Sequence, residues 1–518
     1  QRFEYTSAAA QPARIFRPSV VAGKEAVVTV AYAPSGAAAG QPVTVTEEGF
    51  VPSFDARVPA AAISRTIGYR YNGYGERSAV DGPLPNAGKD ASPANSDLTI
   101  TEFDPATKLP LRVRYPGNRV EEIVERDAAL RPRVVRISDG AVVRTVTTTL
   151  NWRGQAERVE VAGTGSNATR YRYDVNGRLL ATQDGSGETR FAYDAGGRMT
   201  ARILPDGKHE PVRMAESEAA ITTLAPAASP APATGIDRDW LSRPVAWHGA
   251  DGAAAVQTSW GAPGSAAEAS MLSISAGDAR AERLVDDFGR VSAIRNPGQG
   301  WQLARHDEAG RIVESVDPRG ARQQAEWDAA GRLLKLVRHA PDSSAAEQTL
   351  HYRYAGSLLR EQEIVDADGT RLTRSEYDAQ GRILGQALTI TPARQLAAAL
   401  PQAVTMRYDW HYDASGRLAG RSFTDAAGKR FALKEEQDAE GRTASIATDG
   451  ALPAALGGRR MIASAIDWQT LAGVPFAQRI VHGDGSEDGF DVPSSPEPAM
   501  PEAPRLQQAN LAVAEAAD

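Results

Sequence analysis

The sequence predicts an all-β fold: an array of β-hairpins forming a long twisted antiparallel sheet, with few helices. Three observations lead there. A six-residue turn motif recurs along the chain, residues alternate in character between the turns, and helical periodicity is absent from most of that region.

The motif reads aromatic-Asp-x-x-Gly-Arg, followed by an aliphatic residue. Its clearest copies are Tyr173-Asp174-Val175-Asn176-Gly177-Arg178, Tyr193-Asp194-Ala195-Gly196-Gly197-Arg198, Tyr377-Asp378-Ala379-Gln380-Gly381-Arg382 and Tyr412-Asp413-Ala414-Ser415-Gly416-Arg417. Four others change the first position and keep the rest: Val285-Asp286 with Gly289-Arg290, His306-Asp307 with Gly310-Arg311, Trp327-Asp328 with Gly331-Arg332, and Gln437-Asp438 with Gly441-Arg442. Weaker copies stand at Tyr71-Asn72, Phe103-Asp104, Asp127, Asn151, Asp239 and Tyr354-Ala355. The copies fall about twenty to twenty-seven residues apart, and the two wide gaps, Asp194 to Asp239 and Asp239 to Asp286, each have room for a decayed copy. Between copies lies a second punctuation, at Asp184-Gly185, Asp206-Gly207, Asn296-Pro297-Gly298, Asp317-Pro318-Arg319-Gly320, Asp368-Gly369 and Asp449-Gly450. Each unit therefore carries two turns and two strands.

Physical chemistry explains the spelling. Asp opens a type I turn by accepting a backbone N–H two residues on, the two middle positions tolerate most residues, and Gly takes the left-handed conformation that completes a bulged hairpin. The aromatic before the turn and the aliphatic after it, such as Tyr173 and Leu179, then lie on paired strands and pack. Asp and Arg flank the same turn and can pair. Stretches such as Thr189-Arg190-Phe191-Ala192-Tyr193 alternate with the period of strands.

This pattern resembles the YD-repeat, or RHS-repeat, family of bacterial secreted or surface proteins, over roughly residues 71–450. The resemblance implies repeats wound into a spiralling β-sheet that encloses a cavity, often a shell around a toxic C-terminal domain, as in polymorphic toxins. Toxin-bearing relatives end their repeats in a core containing Asp-Pro-x-Gly and an apolar residue near an autoproteolytic site. Here Asp317-Pro318-Arg319-Gly320 lies mid-array, and nothing resembling a toxin domain follows the last repeats.

Three regions are expected. Residues 1–66 are a β-rich segment continuous with the array, carrying strand-like runs such as Ala26-Val27-Val28-Thr29-Val30-Ala31-Tyr32. Residues 67–491 are the repeats, with insertions near 211–235, 261–269 and 392–401, the last holding a one- or two-turn helix between prolines. Residues 492–518 form a Pro/Ala/acidic tail ending in a helix over 504–518. The chain opens Gln1-Arg2-Phe3 without Met or a signal sequence, and is read as a processed product whose signal peptide has been removed.

Composition narrows the function classes. The chain has 518 residues, is 42% hydrophobic and 24% charged, and carries a net charge of −7 with basic and acidic residues interleaved. A phosphate backbone calls for a clustered basic stripe, so nucleic acid is not an expected partner. No cysteine occurs, which excludes disulfides, thiolate metal sites and cysteine nucleophiles. No window approaches the roughly 18 to 20 apolar residues of a membrane-spanning helix.

No catalytic, cofactor-binding or metal site is expected, and the chain is read as a non-enzyme. The Asp/Arg pairs recur at nearly every turn, whereas an active site uses one unusual constellation. The seven histidines show no metal-ligand spacing. Asp484-Gly485-Ser486-Glu487-Asp488-Gly489 could ligate calcium but lacks the EF-hand spacing, so a plain turn is expected. The leading functional reading is the wall of an encapsulating shell linked to export or toxin delivery, secreted or at the cell surface. Its partners would be copies of itself, other segments of a larger shell, or an encapsulated polypeptide. The alternatives are a subunit of an extracellular fibre or sheath, and an adhesin whose aromatics stack on a surface glycan.

Overall fold

The computed structural model describes residues 2–6, 11–21, 23–52, 60–85, 92–93, 96–162, 168–184, 187–205, 207, 209–211, 235–238, 244–248, 254–260, 271–276, 279–393, 402–413, 416–438, 442–448, 461–471, 474–483, 485–491 and 505–510. Among them the chain forms two sheets and a single short 3-10 turn, Pro116–Asn118. The first sheet has seventeen strands, from Arg2–Tyr5 to His209–Pro211, and the second twenty-two, from Gly235–Arg238 to Arg505–Asn510. The all-β array read from the sequence is the observed architecture.

In both sheets each strand pairs antiparallel with the strands just before and after it in the chain, so each sheet is an unbroken meander. Runs such as EAVVTVAY (Glu25–Tyr32) and VVRTVTTTL (Val142–Leu150) supply the β-branched residues that suit a pleated surface. The strand Ala61–Tyr71 crosses residue 66 without a break and pairs on both sides.

The register slips by one residue beside the repeat turns, pairing Tyr173 with Leu179, Tyr193 with Met199, Trp327 with Leu333, Tyr377 with Ile383 and Tyr412 with Leu418. Each slip is a bulge, which adds local right-handed twist.

The ribbon is one sheet thick. The buried apolar side chains of the described residues include Ala26, Ala79, Ala181 and Ala293, and the largest one fully buried is Leu98. Both faces carry cross-strand ion pairs, among them Arg112 between Glu102 and Glu122, and Glu361 between Arg353 and Arg374. Exposed pairs of this kind contribute roughly 1 kcal/mol or less each. Ladder hydrogen bonds and side-chain pairs, not a thick core, hold the wall together.

Residues 505–510 form a strand paired with Glu487–Asp491, where the sequence reading put a helix. Arg505-Leu506-Gln507-Gln508-Ala509 is a good helix-forming run, but an unpaired sheet edge offers its backbone a partner, and pairing overrides propensity. The insertion residues 212–234, 261–270 and 394–401, with the helix expected in the last, lie outside the described residues. The strands flanking 261–270, Ala254–Trp260 and Met271–Ala276, pair as a hairpin, so a strand pair does occupy the gap between Asp239 and Asp286.

Candidate functional site

The repeat turns share one geometry. In the Tyr173 copy, the Asp174 N–H donates to the Arg178 carbonyl (2.9 Å) and the Gly177 N–H to the Asp174 carbonyl (3.0 Å). Asp174 Oδ1 accepts the N–H groups of Asn176 and Arg178, each at 2.8 Å, and Oδ2 accepts Arg178 Nε at 2.6 Å. Gly177 has φ +85°, a left-handed conformation that glycine adopts at no steric cost. The backbone closure recurs at Asp194/Gly197/Arg198, Asp286/Gly289/Arg290, Asp307/Gly310/Arg311, Asp328/Gly331/Arg332, Asp378/Gly381/Arg382 and Asp413/Gly416/Arg417. Asp438 and Arg442 pair likewise, while Gly441 lies outside the described residues.

The electrostatics follow from these bonds. The Arg178 backbone N–H and then its guanidinium hold the Asp174 carboxyl below the usual range, and Arg198 does the same for Asp194. At Asp378 burial pushes upward but is outweighed by the Arg382 N–H and guanidinium. These carboxylates are committed to their turns.

Two further contacts lace one repeat turn to the next. The first-position side chain donates to the carbonyl just past the preceding turn's Arg: Tyr193 Oη to Leu179 (2.8 Å), Tyr412 Oη to Ile383 (2.9 Å), Trp327 Nε1 to Ile312 (2.9 Å) and Gln437 Nε2 to Leu418 (2.9 Å). Trp and Gln keep this contact in place of Tyr because each carries a donor at the end of a long side chain, whereas Val285 fills the position without one. In return the Arg reaches forward, Arg290 Nη1 to the Asp307 carbonyl (2.7 Å) and Arg311 Nη1 to Asp328 (2.5 Å), with its guanidinium near the next aromatic, as for Arg382 and Tyr412 at 4.6 Å. The sequence reading gave the aromatic a packing role only.

In a meander alternate turns fall on opposite edges, so the repeat turns line one edge of the ribbon, here called the turn edge. The turn edge of the second sheet seats on the opposite edge of the first. Asp287 is bonded to Arg17, Ser19, Val20 and Phe50; Asp139 Oδ1 and Oδ2 accept the Ser357 N–H (3.0 and 3.1 Å); Arg144 Nη2 donates to the Gln380 carbonyl (2.5 Å). Gly140 and Gly356, both at φ +61°, approach so closely that a Cβ on Gly140 would lie 2.6 Å from the Gly356 nitrogen. Near Arg311 of the second sheet, burial pushes the Asp97 carboxyl up, aided by Asp81 and opposed by Arg311. The hydrogen-bonded partners across this seam lie 218 to 270 residues apart in sequence. The ribbon curls and returns onto itself.

The turn edge of the first sheet is different. Its turn tips carry Tyr74, Leu130, Trp152 and Val175, all exposed, the last two at 83% and 84%.

Sequence reasoning missed the turn at Asp425 and read Asp317-Pro318-Arg319-Gly320 as punctuation rather than as a turn of the motif's own geometry. Asp425, Gly428 and Lys429 form the same turn on the opposite edge, as do Asp317, Gly320 and Ala321. The signal was Asp-x-x-Gly without the trailing Arg. At Asn72 and Asn151 an Asn Oδ1 replaces the carboxylate, and Glu76 or Gln155 replaces Arg as side-chain partner. Among the described residues no group of three or more His, Asp or Glu side chains gathers as a metal-ligand set. Asp484, in the calcium reading, lies outside the described residues.

Comparison with known proteins finds one family model within the chain. Residues 173–209 match the RHS repeat family model, so the chain carries an RHS repeat. No curated protein matches it. Among solved structures it is similar to a crystal structure of TcdB2–TccC3, at 11% identity over 98% of this chain and 35% of the other, with a TM-score of 0.43. A TcdB2–TccC3–TEV structure matches at 10% identity over 91% of this chain and 34% of the other (TM-score 0.39), and a Photorhabdus luminescens Tc holotoxin pore at 10% over 90% and 29% (TM-score 0.37). The chain spans about a third of the length of these proteins. The fold itself rests on the observed strand pairing.

Proposed function

We propose that this chain is a non-catalytic wall segment of an RHS-type β shell that serves export or toxin delivery from a secreted or cell-surface protein. One observation carries the reading: a ribbon one sheet thick returns to seat one edge on the other, which is how a wall encloses space. Among the described residues the carboxylates and guanidiniums of the repeats are invested in closing turns and stacking one repeat on the next, rather than gathered into one singular constellation. The RHS repeat and the likeness to Tc proteins support the delivery role, and a polypeptide held inside, or further shell segments, are the partners this reading assigns.

Electron microscopy of the purified chain tests it. Curved or ring-like walls around a stain-filled lumen are the expected image. A solid globule, or long filaments, would overturn the proposal, the latter in favour of the fibre reading. Fractionation of the producing cells should place the protein outside the cytoplasm.

A further inference from the structure

We infer that Asp287 is the register latch of the ribbon, a positioning residue that fixes where the second sheet seats on the first. The inference rests on the seam geometry alone and holds whether or not the wall encloses a polypeptide.

Asp287 follows the motif Asp286 and so occupies the first of the two middle positions of its turn, where the hairpin asks nothing of the side chain. Its carboxylate leaves the turn altogether and is buried against the first sheet. Oδ1 accepts the Val20 N–H and Oδ2 accepts both the Ser19 hydroxyl and the Phe50 N–H, all at 2.7 Å. The peptide group joins in: the Asp287 N–H donates to the Phe50 carbonyl (3.0 Å), and Arg17 Nη2 donates to the Asp287 carbonyl (2.6 Å). An ionised carboxylate only accepts, which suits a site presenting two fixed amides and a hydroxyl. Because those donors come from two separate segments of the first sheet, the carboxylate fits one position along that edge.

The first sheet is shaped to receive it. Gly49 sits within the strand Pro42–Val51, where glycine weakens a strand and often marks close backbone approach. A Cβ there would lie 2.7 Å from the Asp287 Cβ. Beside it the Arg65 guanidinium lies over the Phe288 ring at 4.5 Å.

Hydrogen exchange on the full chain tests the latch. In Asp287→Ala the amides of Val20 and Phe50 should exchange at least tenfold faster, while those of Gly289 and Arg290, held by Asp286, keep their protection. Gly49→Ala attacks from the other side, leaving the turn's own sequence intact, and should give the same pattern. Asp287→Asn should free one of the two amides more than the other, since its NH2 cannot accept. Unchanged protection of Val20 and Phe50 in both alanine variants overturns the inference. Should Asp287→Ala also expose Gly289 and Arg290, the Gly49→Ala result decides: exchange confined to Val20 and Phe50 supports the latch, and no change there refutes it.

Discussion

The turn edge of the second sheet and that of the first are built from the same hairpin, yet one is covered and the other open. Where it is covered, Asp287, Ala330 and Gln380 at middle positions meet the first sheet near Ser19, Gly117 and Arg144, and Phe288 lies under the Arg65 guanidinium. Where it is open, middle positions such as Tyr74, Trp152 and Val175 stand exposed. Asp, Gly and Arg make the turn in both cases. The two positions between them, which the hairpin leaves free, decide what the edge can touch.

The strongest way to break the contrast is to wedge the covered edge apart. Gly356 combines φ +61° with an approach that would set a Cβ 2.3 Å from Asp139 Oδ1 and 2.6 Å from the Asp139 carbonyl carbon. Gly356→Val should cost roughly 3 kcal/mol or more through strain and overpacking together. Chemical denaturation should show the loss, and small-angle scattering a more open particle.

Gly381→Val should be milder, about 1 to 3 kcal/mol, because its φ of +79° is strained for valine while the nearest atom is the movable end of Arg144. Hydrogen exchange should rise around residues 378–382 and fade within neighbouring hairpins, as in a chain of locally coupled repeats.

Acid should act on the open edge through Asp174 and Asp194, and on the covered edge through Asp378, which is likewise held below its usual range. Asp174 and Asp194 have folded pKa values below their unfolded ones, so their contribution is present above about pH 4, the ordinary carboxylate range, and is lost as pH falls through the depressed folded values. Amide exchange of Arg178 and Arg198, read against pH, should show their turns loosening only below that range.

The smallest effect belongs to the open edge. Trp152→Ala should change stability by roughly 1 kcal/mol or less, since the ring is exposed and its one charged neighbour, the Arg153 guanidinium 4.6 Å from the ring centre, makes only a surface contact with it. A larger loss in thermal unfolding would mean that the open edge is covered after all.

The hairpins were legible because their determinants are local. Asp174, Gly177 and Arg178 contact one another within a few residues, so a repeated spelling reports a repeated geometry. The seam was not, because Ser19 and Asp287 are distant in sequence and each sits where its own hairpin leaves the choice open. The middle positions looked free for that reason, and Asp287 shows that they are not. The strand at 505–510 escaped notice on similar grounds, since an edge to pair with is not written in the segment that uses it.

The return of the ribbon onto itself also constrains how such a chain can change length by duplication. Adding or losing one hairpin unit between Phe50 and Asp287 would carry the carboxylate to a neighbouring place on the rim, facing donors that were never arranged for it. Unit number inside that circuit is therefore counted, and so it is on to Gln380, whose carbonyl must still meet Arg144; past that point an extra copy disturbs none of these pairings.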